Sequence, residues 1–333
     1  MASPNTNHKR NFLLTIPRSG SNLLVRILNL TEQPDILRGN SGGGYYFFDA
    51  HAKIYGELRL TNDVRTWSTR ERELVREALQ SGTEAMIQHI DSAEQQGKSV
   101  YIKEHMPLIT DPVVVSRAFF GEDGDHGSRY TAQACGKAYK GGDVTPLNVT
   151  LFSDSFLKTI RPTFLIRHPL VMFPSYYRAH RDLGGDRQTH KECSLKWSRS
   201  LYDWFVQNRN QDDSTFPTIL DADDFIAQPE FLIEYSQLVG LDASKLLFEW
   251  NKKTTEELEA INFKIRRMTD TLNASSGIIK GKVSLGLNIE EEVQKWKEEF
   301  GEEKAARLEK DVRAATEDYE YLKARRFRSQ KSA

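Results

Sequence analysis

Cysteine is scarce in this 333-residue chain: the two present, Cys135 and Cys193, stand in dissimilar contexts with no histidine beside them at metal-ligand spacing. That scarcity excludes a disulfide framework and a zinc site of the spaced Cys/His kind, so no metal is expected. A reduced, cytoplasmic location is the expectation, with each thiol read as a small buried hydrophobe or, alternatively, as a reactive group. Long apolar runs are missing as well. The first, Phe12 to Ile16, stops at Pro17, and no later segment reaches membrane-spanning length, so neither a signal peptide nor a membrane partner is expected. Charge of one sign is not in excess either: 46 Lys and Arg against 47 Asp and Glu leave a formal charge of -1. Such a balance gives no general field for nucleic acid or anionic lipid, and any anion site must be built locally.

What is present fits a folded protein, with 38% hydrophobic and 28% charged residues. Short strands are predicted at 12–16, 99–102, 163–166 and 218–220, separated by helical or loop stretches. Strands that alternate with helices imply an α/β fold, a central parallel sheet flanked by helices. Helices are predicted from near Asn22, over 69–79, 83–96, 194–207, 228–239 and 256–272, and through a charged tail from 290 to 324. Residues 121–148, rich in Gly and charge, read as a loop or lid insertion or as a segment without a role. One domain over 1–333 is the expectation, with 290–333 its charged helical tail, more a solvated helix face than a binding surface.

Three constellations carry chemistry. In LLTIPRSGSNLL a strand feeds a tight loop and then a helix N-terminus, an arrangement that converges backbone N–H groups on one point. Ser19 and Ser21 add hydroxyl donors, Gly20 allows close backbone approach, and Arg18 adds a fixed positive charge. The alternative is a plain N-cap turn. The loop lacks the G-x-x-x-x-G-K-[ST] pattern, so a metal-free anion cradle fits it better than a Mg²⁺-dependent phosphate loop. In VYIKEHMP, Lys103 and His105 lie two apart at a strand end and share a face. A neutral His suits a general base for an alcohol or phenol, and a Lys suits a charged bridging oxygen; a structural or exposed His is the other reading. In RPTFLIRHPLVMFPSYYRAH, Arg167 leaves a strand's C-terminal end, where ligands of open α/β sheets sit, and Ser175 follows eight residues later on a helix opened by Pro169. The pair suits a second phosphate, or else a salt bridge and a helix-bonded Ser.

In this order and spacing the three motifs resemble those of the sulfotransferases that use 3′-phosphoadenosine 5′-phosphosulfate (PAPS). The resemblance runs over roughly residues 10–240 and includes TILDADDFIAQPEFLIEYSQLVGL, a short strand with an acidic end followed by a helix. It implies the P-loop-like sulfotransferase fold and PAPS as donor. It also implies that Arg18, Ser19, Gly20, Ser21 and Asn22 hold the 5′-phosphosulfate, that Arg167 and Ser175 hold the 3′-phosphate, and that His105 deprotonates a hydroxyl of a small-molecule acceptor while Lys103 and Arg18 assist transfer. Two departures stand out. Leu23 occupies the position where many members carry an aromatic, and of the family's late basic-Gly segment only Lys280, Gly281 and Lys282 offer a match, which also reads as a surface loop. Gly42 to Gly44 before Tyr45, Tyr46, Phe47 and Phe48 read as a wall of the acceptor pocket or as core. A nucleotide-dependent small-molecule kinase using the same loop is the alternative activity.

Overall fold

The structure, a computed structural model, describes residues 8–39, 43–131, 143–185, 192–208 and 215–329. Four strands form one all-parallel sheet in the order β2-β1-β3-β4: β1 (Arg10–Thr15), β2 (Val100–His105), β3 (Arg161–Ile166) and β4 (Thr218–Asp221). β1 pairs with β3 in the register Asn11 to Arg161 through Leu14 to Phe164. Both inner strands are buried along almost their whole length. Their near-continuous apolar runs, without alternation, follow from a sheet covered on both faces. The α/β reading holds, and the bounds of each predicted strand hold to within three residues.

The helices depart from expectation in three places. The two predicted at 69–79 and 83–96 are one 27-residue helix, Thr69–Gln95, opened by a capping box between Ser68 and Glu71. Gly82, between the two predicted stretches, stays helical; a Cβ there would lie 2.7 Å from the Tyr46 carbonyl oxygen, so close packing offsets the glycine's poor helix propensity. The stretch 256–272 is instead three short helices, Thr255–Glu259, Phe263–Met268 and Asp270–Ala274. Asn262 accepts from the Lys264 N–H and restarts the chain direction, a local side-chain bond competing with helix continuation. The charged tail breaks at Gly301, φ +84°, into Ile289–Phe300 and Glu302–Lys323. Residues 121–131 and 143–148 hold only bends and turns; 132–142, with Cys135, lie outside the described residues.

The chain divides into two compact units. One draws on Met1–Leu14, Asp35–Phe164 and Trp197–Thr218, the other on Thr15–Pro34, Leu165–Lys196 and Ile219–Ala333. In the first, Phe12, Phe47, Phe152 and Phe156 form an aromatic cluster, two of its ring pairs edge-to-face and one tilted, and Leu13 and Ile102 are buried. Just before β2 the Leu37 N–H donates to the Ser99 carbonyl, and along β2 the Tyr45 N–H donates to that of Lys103, each at 2.9 Å. In the second, Leu24, Ile27, Phe173, Phe225, Trp296 and Tyr319 are buried. The tail is fastened there: Tyr319 Oη donates to Asp221 Oδ2 at 2.7 Å, Arg326 pairs with Asp224 at 2.6 Å, and the Phe327 N–H donates to the Ile219 carbonyl of β4 at 2.8 Å. No described helix is long and apolar enough to cross a membrane.

Candidate active site

The loop after β1 lies in the second unit. Arg18 and Gly20 both take positive φ, +68° and +91°, which folds the chain tightly before the helix Ser21–Leu28. Gly20 is the N-cap and no side chain caps the first turn, so the serines are not spent on capping. Ser21 is buried, and Asn22 and Leu23 are half-buried. Ser19 is wholly buried and its hydroxyl has no hydrogen-bond partner. A buried hydroxyl in that state is costly unless something else bonds it.

Around this loop the structure gathers residues far apart in sequence. Arg18 Nε donates to Ser175 Oγ at 3.0 Å, and its guanidinium also reaches the Met268 carbonyl and, at 3.8 Å, Asp270. Arg167 donates to the Arg18 carbonyl at 3.2 Å and to the Lys282 carbonyl at 2.8 Å, while its Nε is buried without a partner. The Lys282 ammonium donates to Thr271 Oγ1 at 3.2 Å. All three cations are destabilised in the charged form. Burial lowers the pKa of each, and Arg18 further depresses both Arg167 and Lys282, against an opposing pull from Asp270 on Arg18 and Lys282 and from Asp223 and Asp221 on Arg167. Two half-buried arginines and an exposed lysine that repel one another, beside two buried donor groups with nothing to bond, make a site that an anion would stabilise. Lys280 and Gly281 are exposed, and a Cβ on Gly281 would meet nothing within 4 Å.

In the first unit, strand alternation separates three neighbours on β2. Glu104 points one way, fully buried, where Oε1 accepts the Tyr46 N–H at 2.6 Å and burial raises its pKa to about 8. Lys103 and His105 share the other face, and the side chain that links them is Tyr45. Its ring lies 4.5 Å from Lys103 Nζ, and its hydroxyl is 3.1 Å from His105 Nε2. The pKa of His105 is pulled down to about 3 by burial, with the positive charges of Lys103 and His51 adding to it. The imidazole is therefore neutral and carries a lone pair.

Against known proteins, the chain is 39% identical over 333 residues to "Sulfotransferase ppzF" of Metarhizium rileyi (strain RCEF 4871), covering 96% of each chain. It is 38% identical over 336 residues to the protein of the same name from Metarhizium majus (strain ARSEF 297), covering 96% of this chain and 97% of that one. This chain is a sulfotransferase. No family model matches it, and no solved structure does.

For this sulfotransferase, the motif residues Arg18, Arg167, Ser175 and Lys282 converge, although nothing local in the sequence links them. The aromatic segment divides. Phe47 is buried core, Phe48 is half exposed at 52%, Tyr46 bonds His89 and Glu104, and only Tyr45 faces His105; Gly42 lies outside the described residues. Sequence reasoning missed the Tyr45 to His105 bond and the carboxylates Asp223 and Asp270 beside the cations. The glycine run before Tyr45 was the available signal for the first, while the acidic partners sit in segments without a distinguishing pattern.

Proposed function

We propose that the protein transfers a sulfuryl group from PAPS to a hydroxyl, phenolic or alcoholic, of a small-molecule acceptor. The observation that carries this reading is the pair of buried donors without partners, Ser19 Oγ and Arg167 Nε, set among Arg18, Ser175 and Lys282. These groups suit a donor carrying two anionic ends. The loop from Arg18 to Asn22, with Leu23 in the first helical turn, would hold the 5′-phosphosulfate, and Arg167, Ser175 and Lys282 the 3′-phosphate, with Lys280 and Gly281 at the margin. PAPS supplies an activated sulfuryl group whose leaving phosphate is already stabilised. The chain's own residues bind and orient it, and fixed positive groups offset charge on the peripheral oxygens. His105, neutral in this structure, takes the acceptor's hydroxyl proton at Nε2, and Lys103 offers positive charge beside it. The relatives are named sulfotransferases, which favours this reading over a kinase.

The test is calorimetric titration with 3′-phosphoadenosine 5′-phosphate, the desulfated product, beside ATP with and without Mg²⁺. Micromolar binding of the bisphosphate that weakens about 10- to 100-fold in Arg167→Ala, with no comparable binding of ATP, is the expected result. Tighter Mg²⁺-dependent binding of ATP would refute the donor assignment.

A further inference from the structure

The base is not simply exposed at the end of β2. Residues 43–45 run beside that strand, with Gly44 bridged in parallel to Lys103, the Lys103 N–H donating to the Gly43 carbonyl at 3.0 Å and the Tyr45 N–H returning to the Lys103 carbonyl at 2.9 Å. The approach is so close that a Cβ on Gly44 would lie 2.0 Å from the Lys103 carbonyl oxygen, so no other residue type fits there without displacing the ribbon. Tyr45 then adopts φ +62°, a left-handed conformation that residues with side chains rarely take. Such a conformation persists where the surroundings over-determine it, typically at functional positions. Here three contacts do so: the bond from the hydroxyl to His105 Nε2, the ring at 4.9 Å from the imidazole, and the Lys103 ammonium over the ring face.

We propose that Tyr45 caps the base, its hydroxyl holding the place at Nε2 that the acceptor hydroxyl takes, so that an acceptor engages the base only by displacing it. The inference rests on His105 as the base. The exchange is chemically even: one O–H to nitrogen bond is replaced by another, no proton is gained or lost, and the phenol released from Nε2 can bond water. Until then the capped imidazole is kept from water, which would otherwise compete as an acceptor. Tyr45 is thus a positioning and specificity residue acting through His105, and it favours acceptors whose hydroxyl bonds nitrogen at least as well as a phenol does.

The test uses diethyl pyrocarbonate, which acylates imidazole nitrogen, on the intact protein and on Tyr45→Phe, with peptide mass mapping of each histidine. His126, buried at 2% exposure and bonded to Ser116 at 3.0 Å, reports general loosening of the same unit. The ratio of His105 to His126 modification rates is expected to rise severalfold in Tyr45→Phe; an unchanged ratio overturns the cap, even if both rates rise. A second arm adds 4-nitrophenol as a probe phenol. It should protect His105 in Tyr45→Phe at a concentration about 2- to 10-fold lower than in the wild type, the worth of one neutral hydrogen bond. Equal protection in both proteins, or protection in neither, overturns the displacement. Failure of the base assignment has a separate signature, undiminished sulfuryl transfer by His105→Ala, which neither arm can imitate.

Discussion

The two units solve opposite electrostatic problems. In the second, Arg18, Arg167 and Lys282 gather around a loop whose own serine hydroxyl is buried without a partner, and desolvation more than mutual repulsion disfavours their charged forms. In the first, burial disfavours the charged forms of His105 and Glu104, lowering the pKa of one and raising that of the other. A sulfuryl donor with several negative charges needs the first kind of surroundings, and a hydroxyl that must lose a proton needs the second. On the proposed function, the difference would separate donor binding from proton chemistry, each built from residues of a single unit. It also predicts that damage to one will leave the other measurable.

The largest effect is expected at His105. His105→Ala should lower kcat by about 10²- to 10⁴-fold while bisphosphate affinity stays within experimental error, since the imidazole belongs to the proton-handling unit. Steady-state turnover with labelled PAPS, set beside calorimetry, checks both halves, and a parallel fall in affinity would dissolve the separation. Arg167→Ala should act in reverse, weakening the bisphosphate about 10- to 100-fold through lost charge-assisted hydrogen bonds. If saturating donor fails to restore most of its kcat, Arg167 contributes to the chemical step as well. Ser19→Ala is a gentler probe of the same cradle. Removing a hydroxyl that has no partner in the ligand-free protein should leave stability unchanged or slightly raised, yet weaken the bisphosphate about 2- to 10-fold; a loss of stability in denaturant titration would show that the hydroxyl is bonded without ligand. The smallest expected change in activity comes from Tyr319→Phe, which removes the donor from buried Asp221. It should cost about 1–3 kcal/mol of stability, read as a lower denaturant midpoint at constant slope, with turnover per folded molecule little altered.

Much of the cradle was legible before the structure because its parts are local. A strand, a glycine turn and a helix start leave a continuous pattern at 10–28, and the spacing of Arg167 and Ser175 survives on one strand end and one helix. The four strands were legible for the same reason, as buried apolar runs bounded by turns. The β2 side was half legible. Alternation on β2 places Lys103 and His105 together, but the bond from Tyr45 depends on pairing between segments almost sixty residues apart, which periodicity does not encode. Helix continuity was misjudged for two different reasons. Gly82 stayed helical because it packs against a neighbouring carbonyl, a tertiary contact, whereas 256–272 broke because Asn262 capped a fresh start through a local bond.

The ribbon that carries Tyr45 has a second duty at the margin of the sheet. β2 and β4 are the outer strands, and each is bonded by a segment outside the sheet's named strands: β2 by 43–45, β4 by the Phe327 N–H. Unpaired strand margins invite association with other chains, so these segments act as guards against misassembly. A guard cannot swing aside to admit a substrate without uncovering what it protects. The movement that releases Nε2 is therefore best served by rotation of the Tyr45 side chain on a stationary backbone, which would let the enzyme cycle at full speed without ever baring its sheet.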